Sequence, residues 1–249
     1  MAKTRSLLNI EGTLGEMTFY KDGDGYKIRT KGGVSKNRIE TDPAFVRTRE
    51  NMGEFAQSAT IGKQLRLAAI DLMADAKDKR VTSRLTRVMS KVRNQDTTSV
   101  RGQRKVYIGL STPEGRAALK GFEFYGRSTL SSVLLADYNL DTVTGEVSII
   151  DFIPARRLNF PQGATNVSLS CGFLNLDFET GDKALELSNV VNLPINLTAT
   201  TVTLTPPAAP AGTGNQLYFL KVAFFQEMNA VQYPLNNGAF NALQLIEVL

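Results

Sequence analysis

The first part of the chain alternates apolar and polar side chains with the period of a β-strand. Met17 and Phe19 alternate before the sequence DGDG at 22–25, and Tyr26 and Ile28 alternate after it. Because glycine adopts positive φ at little cost, Asp-Gly pairs favour tight turns, and the two runs are predicted to pair as an antiparallel hairpin. One face of this hairpin would carry the four apolar side chains. The other face would carry the basic residues of the returning strand, which are Lys27, Arg29 and Lys31.

A two-stranded ribbon is only marginally stable alone in water. The apolar face of the hairpin is therefore expected to pack on another part of the chain or on another copy of it. A basic loop, KGGVSKNRIETD, follows at 31–42 and adds Lys36 and Arg38 to the positive charge.

Residues 41–103 change to the period of a helix. Asp42 is a favourable N-cap, and Pro43 fits the first helical position, where its missing N–H is not needed. Apolar residues then recur at helical spacing on either side of a break predicted near Gly62. They are Phe45, Met52, Phe55 and Ala59 before the break and Leu65, Ala69, Leu72 and Ala76 after it.

A third helical segment has the clearest amphipathic pattern. Its apolar stripe consists of Val81, Leu85, Val88 and Val92. A row of basic residues runs beside the stripe at the same spacing, namely Arg80, Arg84, Arg87 and Lys91. The stripe predicts a helix that packs on a core. The basic row is either a solvated face beside that core or a surface that binds a partner.

From residue 104 the pattern changes to short runs rich in β-forming residues, separated by Gly, Pro, Asn and Asp. The runs predicted as strands begin with KVYIGL at 105–110 and GFEFYG at 121–126 and continue to the end of the chain. The run LYFLKVAFFQ at 217–226 is apolar at nearly every position, which predicts a central strand covered on both faces. TGE at 144–146 and TGD at 180–182 predict hairpin turns, and PPAAPAGTGN at 206–215 predicts an exposed loop between strands.

The predicted fold class is thus α+β. An N-terminal β-hairpin and short helices are joined to an antiparallel β-sandwich of about seven strands, Ig-like or jelly-roll-like. We predict a hairpin arm at 1–40, a basic helical segment at 41–103 and a sandwich domain at 104–249.

Charge is divided unequally between the two halves of the chain. Residues 1–120 contain 24 Lys and Arg and 13 Asp and Glu, a net charge of +11, whereas residues 121–249 contain 5 and 11, a net charge of −6. Such asymmetry is typical of a nucleic-acid-binding arm, and equally of a subunit whose one half is complementary to the other half of its neighbour. The candidate assembly or polyanion-binding residues are Lys27, Arg29, Lys31, Lys36, Arg38, Arg80, Arg84, Arg87 and Lys91.

The composition argues against an enzyme. The chain has no His, which removes the commonest general base, the commonest metal ligand and the Ser/His and Cys/His nucleophile pairs. Its one cysteine, Cys171, lies in the alternating run NVSLSCGFLNL and is predicted to be a buried small residue. Calcium binding at DGDG is not predicted, because the twelfth position of such a loop is Gly33 instead of Glu. No catalytic residue, metal site or cofactor is predicted.

No apolar run approaches the roughly 18 to 20 residues that a membrane-spanning helix needs, and the start of the chain lacks the apolar block of a signal peptide. We therefore expect no membrane span and a cytoplasmic location, with a non-classical export route left open.

The segment IEGTLGEMTFYKDGDGYKIRTKGGVSKNRIETDPAFVRTRENMGEFAQ, residues 10–57, resembles the opening of uncharacterised proteins encoded in Bacteroidota genomes. In those proteins a short hairpin with a Gly turn and an IRTK strand precedes an Asn-Pro or Asp-Pro helix start and an all-β second half. The resemblance covers the first fifth of the chain at the level of motifs, and the rest only in general layout. It implies a bacterial source and no mechanism, since the family has no assigned activity.

These features favour a structural subunit without enzymatic activity, which assembles with copies of itself into a filament, tube or shell. The basic N-terminal half of one copy would meet the acidic sandwich of the next, and such a head-to-tail contact closes into a ring or continues as a helix. A nucleic-acid-binding protein is the first alternative, in which Phe19, Tyr20 and Tyr26 beside the basic residues would stack on bases. A ligand- or glycan-binding sandwich module is the second, and the absence of Trp weighs against it.

Overall fold

The computed structural model of the protein describes residues 2–3, 10–30, 32–74, 78–238 and 240–249. The described chain contains both helices and antiparallel sheets, so the predicted α+β class is confirmed. It divides into two compact units, residues 1–50 and residues 51–249. The boundaries predicted after residues 40 and 103 stay predictions. Lys31 and Ala76, which belong to the sequence patterns, lie outside the described residues.

The first unit is built on a four-stranded antiparallel sheet. Its strands are β1 (Ala2–Lys3), β2 (Gly12–Leu14), β3 (Met17–Asp22) and β4 (Gly25–Thr30), and their order in the sheet is β1-β4-β3-β2. Strands β3 and β4 form the predicted hairpin, in which Asp22 pairs with Gly25 across the turn. A second tight turn joins β2 to β3. It contains Gly15, whose φ of 60° is favourable for glycine.

A short helix, α1 (Lys36–Thr41), leads from this sheet to a long one. Between them, the Asp42 carboxylate accepts a hydrogen bond from the Ala44 N–H at 2.9 Å and caps a 3₁₀ turn, Pro43–Phe45. The predicted N-cap is therefore confirmed. The long helix α2 (Val46–Ala68) follows directly.

The remaining helices belong to the second unit and are mostly short. They are α3 (Val81–Arg93), α4 (Val106–Leu110), α5 (Pro113–Leu119), α6 (Leu130–Val133) and α7 (Pro154–Arg157). The predicted break near Gly62 is wrong, because α2 continues through it. Gly62 is buried where α2 meets α3, and a Cβ atom there would lie 3.4 Å from the Leu85 side chain. The glycine serves close packing and does not end the helix.

The strands predicted at 105–110 and 121–126 are also wrong. Residues 106–110 form α4, because Val106, Gly109 and Leu110 at helical spacing are all buried. Residues 121–126 form turns, with a single bridge between Glu123 and Gln244.

Nine strands in the described part of the second unit form two antiparallel sheets. They are β5 (Asn139–Leu140), β6 (Val147–Phe152), β7 (Asn166–Leu176), β8 (Lys183–Leu187), β9 (Val191–Pro194), β10 (Thr200–Leu204), β11 (Asn215–Met228), β12 (Val231–Pro234) and β13 (Ala242–Val248). The small sheet has the order β10-β6-β5, and the large sheet is built on the pair β7 and β11, flanked by β8 and β9 on one side and by β12 and β13 on the other. The turns predicted at 144–146 and 180–182 and the connection predicted at 206–215 are confirmed.

Alternate residues of the two central strands face different layers. On the side of the small sheet lie Val167, Leu169, Cys171, Phe173, Tyr218, Leu220, Val222 and Phe224. On the side of the helices lie Leu174, Leu176, Leu217 and Phe219. Strand β11 is thus covered on both faces over this length, as predicted. The unit is a β-sandwich with a layer of helices on the outer face of its larger sheet.

A buried carboxylate fixes α2 against the rest of the helical layer. Glu54 is 2% exposed and accepts hydrogen bonds from the Arg104 guanidinium at 2.9 and 2.7 Å and from the Gly102 N–H at 2.8 Å, and Arg93 lies 3.6 Å away. The hydrogen bond from Arg104 lowers the pKa of Glu54 to about 2. The stability that this carboxylate contributes is therefore present above pH 4.5 and is lost as the pH falls toward 2.

Two glycines in helices allow a direct test of the packing of α3 against α4. A Cβ atom on Gly109 would lie 2.1 Å from the Val92 carbonyl oxygen, whereas a Cβ atom on Gly53 would meet nothing within 4 Å. We expect Gly109→Ala to lower the free energy of unfolding by about 3 kcal/mol, because the backbone of α3 or α4 must move. Gly53→Ala is the matched control and should raise it by about 0.5–1 kcal/mol. Urea denaturation at one protein concentration measures both, and a wild-type midpoint for Gly109→Ala would contradict this packing.

Candidate assembly surfaces

The register of the N-terminal sheet gives it one apolar face. Leu14 lies opposite Met17 and Phe19 lies opposite Ile28, and residues paired in this way share one side of the sheet. Tyr26 lies on the same side, and so does its pair Lys21, whose ammonium nitrogen lies 5.4 Å from the centre of the Tyr26 ring. The apolar face predicted from the sequence is confirmed, with one lysine at the end near the turn. We call the five apolar residues the N-terminal apolar face. Leu14 is 75% exposed and Met17 is 50% exposed.

The unit that carries this face has little core of its own. None of its described residues from 10 to 50 is buried, and the side chains of both long strands are half-buried or exposed. Apolar burial is the main favourable term in folding, so a sheet with one apolar side needs a second layer against it. The N-terminal apolar face therefore has no second layer within its own unit among the described residues.

The opposite face of the sheet carries Lys27 and Arg29, as predicted. Lys27 forms ion pairs with Asp22 and with Asp24, and the hydrogen bond to Asp22 raises the pKa of Lys27. The Arg29 guanidinium lies 5.4 Å from the centre of the Tyr20 ring. The charge of Lys27 is thus compensated by the acidic residues of the turn itself.

The two candidate residues of α1 also have acidic partners. Lys36 lies 3.6 Å from Glu40, and Arg38 lies 3.1 Å from Asp42. Exposed pairs of this kind contribute only about 0.2–1 kcal/mol each, so the pairs leave both cations available to a stronger partner.

Helix α3 presents three basic side chains to solvent. Arg80, Arg87 and Lys91 are exposed, and within the described part of the chain none of them has an acidic side chain within ion-pair distance. They fall on one line along the helix, because they are spaced seven and four residues apart. We call these three residues the α3 ridge.

Arg84, the fourth member of the predicted basic row, has a different role. Its guanidinium donates hydrogen bonds to the carbonyl oxygens of Glu123 and Phe124 at 2.6 and 3.1 Å, and it pairs with Asp78 at 2.5 Å. It also lies 5.4 Å from the centre of the Phe122 ring. Arg84 therefore ties α3 to the segment that precedes α6 and is not part of an open surface.

Acidic side chains gather at one end of the sandwich. They lie in the turn between β5 and β6 and in the turn between β7 and β8, and they are Asp141, Glu146, Asp177, Glu179 and Asp182. The first turn lies over the end of the large sheet, since the Tyr218 hydroxyl donates a hydrogen bond to the Thr142 carbonyl oxygen at 2.6 Å. We call these five residues the acidic end.

Backbone N–H groups lower the pKa of two carboxyl groups of the acidic end. The Val143 N–H lowers the pKa of Asp141, and the Glu179 N–H lowers the pKa of Asp177. No Lys or Arg of the described chain forms an ion pair with any of the five carboxylates. Among the described residues, the acidic end and the α3 ridge are thus surfaces of opposite charge that form no ion pairs of their own.

A groove on the large sheet was not predicted. Beyond the residues that pack on the helices, a cavity of about 220 Å³ opens on the same face of the sheet. It is lined by Ser168, Ser170, Val190, Asn192, Lys221, Ala223, Phe225 and Gln232. The sequence contains one signal for it, because Lys221 is the single charged residue in the otherwise apolar run at 217–226.

The sequence patterns also did not predict a buried carboxyl group beside Arg84, that of Glu123. Glu123 Oε1 accepts hydrogen bonds from the Leu130 N–H at 2.9 Å and from the Gln244 amide at 2.6 Å, and Oε2 is buried without a hydrogen-bond partner among the described residues. Burial raises the pKa of Glu123 to about 7, although both hydrogen bonds and the charge of Arg84 lower it.

Comparisons of the chain with protein-family models, with curated proteins and with solved structures find no match. No helix in the described residues is long and apolar enough to cross a membrane. Within the same residues, no group of three or more Cys, Asp and Glu side chains could hold a metal ion. Cys171 is buried as predicted, and burial raises the pKa of its thiol to about 11.

The buried carboxyl of Glu123 predicts a dependence of stability on pH. Because the folded state raises its pKa from 4.5 to about 7, its contribution is fully present below pH 4.5 and is lost as the pH rises through 7. We expect Glu123→Gln to raise the free energy of unfolding by about 2 kcal/mol at pH 8 and to change it little at pH 5. Urea denaturation at the two pH values measures this. Glu227→Gln, at an exposed position, should give no such difference, and equal effects of Glu123→Gln at both pH values would contradict the assignment.

Proposed function

We propose that the protein is a non-enzymatic structural subunit that assembles with copies of itself through its basic N-terminal half and its acidic sandwich. The observation that carries this proposal is the N-terminal apolar face. Five apolar side chains lie on one side of a sheet whose unit buries none of its described residues from 10 to 50. A neighbouring copy supplies the second layer that such a sheet needs.

The two charged surfaces give this assembly a direction. The α3 ridge and the acidic end lie on different elements of the same unit, so each copy carries both halves of a complementary contact. A contact between two different surfaces is heterologous, and its repetition closes into a ring or continues as a filament or tube.

Charged contacts and apolar burial differ in the free energy that each contributes to association. An exposed ion pair contributes about 0.2–1 kcal/mol, whereas complete burial of a Leu or Met side chain contributes about 1.5–3 kcal/mol. The N-terminal apolar face therefore supplies most of the free energy of association. The charged surfaces raise the rate of encounter and orient the copies, and salt weakens their effect.

A nucleic-acid strand is the second candidate partner. The α3 ridge supports it, because three cations on one helical line extend over about 16 Å and can follow a phosphate backbone. The exposed acidic end does not fit such a partner. A combined form, in which copies polymerise around a strand, uses both surfaces.

Charge reversal on the ridge tests the direction of assembly. We expect nuclease-treated wild-type protein to have a mass well above the 27.3 kDa of one chain, and this mass should fall as the salt concentration rises. Arg80→Glu/Arg87→Glu should abolish the salt-dependent part of the mass, because the ridge then repels the acidic end. Light scattering at low and at high salt measures both proteins.

The control for this experiment is Arg156→Glu/Arg157→Glu, which makes the same change of charge at exposed positions of α7. It should assemble like the wild type. An unchanged, still salt-dependent mass for the ridge variant would overturn the proposed electrostatic contact. If that variant also loses affinity for a single-stranded oligonucleotide, the ridge is a polyanion site.

The N-terminal apolar face is tested on two neighbouring residue pairs of one hairpin. Leu14→Gln/Met17→Gln changes the apolar side of the β2–β3 pairing, whereas Thr13→Gln/Thr18→Gln changes the opposite side one position away. We expect the first variant to lower the association constant by a factor of about 100 and the second by less than about 3, since only the first removes buried apolar area. Sedimentation velocity over a range of concentrations measures this, and equal effects of the two variants would contradict the proposal.

A further inference from the structure

The outer face of the large sheet changes character along its two central strands. Where the helices cover this face, its side chains are large and apolar, and they are Leu174, Leu176, Leu217 and Phe219. Farther along the same two strands, the face carries the small side chains of Ser168, Ser170 and Ala223. Every second residue of a strand lies on the same face, so the small and the large side chains share one surface. The surface is therefore recessed beyond the helical layer.

The recess is a groove, because its floor is enclosed by protein. Ala223 is 2% exposed, and Ser168 and Lys221 are each 9% exposed, although all three line the cavity. Side chains on an open, solvated sheet face would be far more accessible. The rim is formed near β9 and near β12 by Val190, Asn192, Phe225 and Gln232. A small molecule in this groove would lose most of its contact with water.

Lys221 gives the groove a positive charge, since it is the charged residue among the described residues that line it. Its position on the central strand β11 pairs with Ser170 on one side and with Leu243 on the other. Removing an ammonium group from water costs free energy unless acceptors surround it. An ammonium group has three N–H donors, so it can bind an anion in the groove in addition to a protein acceptor.

The polar groups of the groove differ between its two ends. The Ser168 hydroxyl donates a hydrogen bond to Asn192 Oδ1, so this hydroxyl proton and this amide oxygen are already used. At the other end, the Gln232 amide donates a hydrogen bond at 3.4 Å to the exposed Glu227 carboxylate. A negative charge therefore lies near the Gln232 end. An anionic group of a ligand is favoured only at the Lys221 end.

The groove also has an apolar part. Ala223 and Phe225 follow Lys221 at every second residue of β11, so the three side chains form one row along the strand. Successive members of this row are about 7 Å apart. Val190 adds a further apolar side chain at the rim. A ligand that fits this row has an anionic group at one end and a short apolar chain.

We propose that this groove binds a small amphiphilic carboxylate, with the carboxylate at Lys221 and Ser170 and the apolar part against Ala223 and Phe225. One ammonium group balances a single negative charge. A phosphate site would use a cradle of free backbone N–H groups, whereas those of the two central strands are engaged in the sheet. The cavity of about 220 Å³ is smaller than the roughly 300–1,000 Å³ of pockets for drug-sized ligands, so the ligand has the size of a small metabolite.

Butyrate is a suitable probe, because it combines a carboxylate with a short apolar chain. Saturation-transfer difference NMR observes the probe itself, so it works at any mass of the protein. With sodium chloride holding the ionic strength constant, we expect saturable binding with a Kd of about 1–10 mM. Butyramide, which is neutral and has nearly the same shape, should bind at least about tenfold more weakly, because it cannot form a charge-assisted hydrogen bond with Lys221.

Two variants locate the site. Lys221→Met removes the charge and keeps an unbranched side chain, so it should abolish the preference for butyrate over butyramide. Ala223→Leu fills the apolar part of the groove and should weaken the binding of both probes by at least about tenfold. The matched control is Lys63→Met, which makes the same change of charge at an exposed position of α2 and should bind butyrate like the wild type. Urea denaturation checks that each variant is folded.

The comparison of the two probes on the wild type does not depend on any variant. Equal binding of butyrate and butyramide, or no saturable binding up to about 50 mM butyrate, would overturn the proposal. Unchanged affinity for butyrate in folded Lys221→Met would also overturn it. Inorganic phosphate that displaces butyrate at a lower concentration than butyrate itself requires would overturn the choice of a carboxylate. Each result can occur with or without self-assembly, so this inference and the proposed function succeed or fail separately.

Discussion

The pairing of β7 with β11 is the constraint on which the second unit depends. Eleven residue pairs run in unbroken register, and both strands present buried side chains on both faces. One face forms the core with the small sheet and the other forms the core with the helices, so the two cores share these strands. A slip of one residue would exchange the two sets of side chains, for example by moving Phe173 and Tyr218, whose rings stack at 4.4 Å, to the helical side. The register is therefore fixed by both layers at once.

This frame also fixes the charged surfaces of the unit. The turn at 177–182 continues β7, and the turn at 141–146 is joined to the same end of the sheet by the hydrogen bond of Tyr218, so both turns of the acidic end are anchored to the large sheet. On the helical side, Arg84 binds the carbonyl oxygens of Glu123 and Phe124, and the Cα of Gly109 approaches the backbone of α3. Helix α3 is thereby held in place, and its outward side chains project from a fixed helix. Surfaces held in this way can bind a partner without a large loss of conformational entropy.

The sequence patterns predicted correctly those features that depend only on residues close together in the chain. The hairpin and its two faces follow from a period of two around DGDG, and the cap at Asp42 follows from its own side chain. The predictions that were wrong concern features that depend on contacts between segments far apart in the sequence. Helix α2 has apolar residues on two sides, so periodicity could not decide which side is buried, and that choice depends on Arg93 and Arg104 as partners of Glu54. Residue spacing likewise grouped Arg84 with Arg80 and Arg87. Spacing carries no information on the turn at 122–126, whose carbonyl oxygens accept the hydrogen bonds of Arg84.

The N-terminal apolar face is an ordered row of apolar side chains to which its own unit gives no second layer. Its five side chains alternate along paired strands, and none of the described residues from 10 to 50 is buried. Single exposed apolar residues are ordinary, whereas ordered rows of them mark interaction sites. The α3 ridge and the acidic end lie on other elements, so in the proposed assembly the apolar contact and the charged contact come from different parts of the chain. In such an assembly salt would weaken the charged contact by screening and would leave the apolar contact in place.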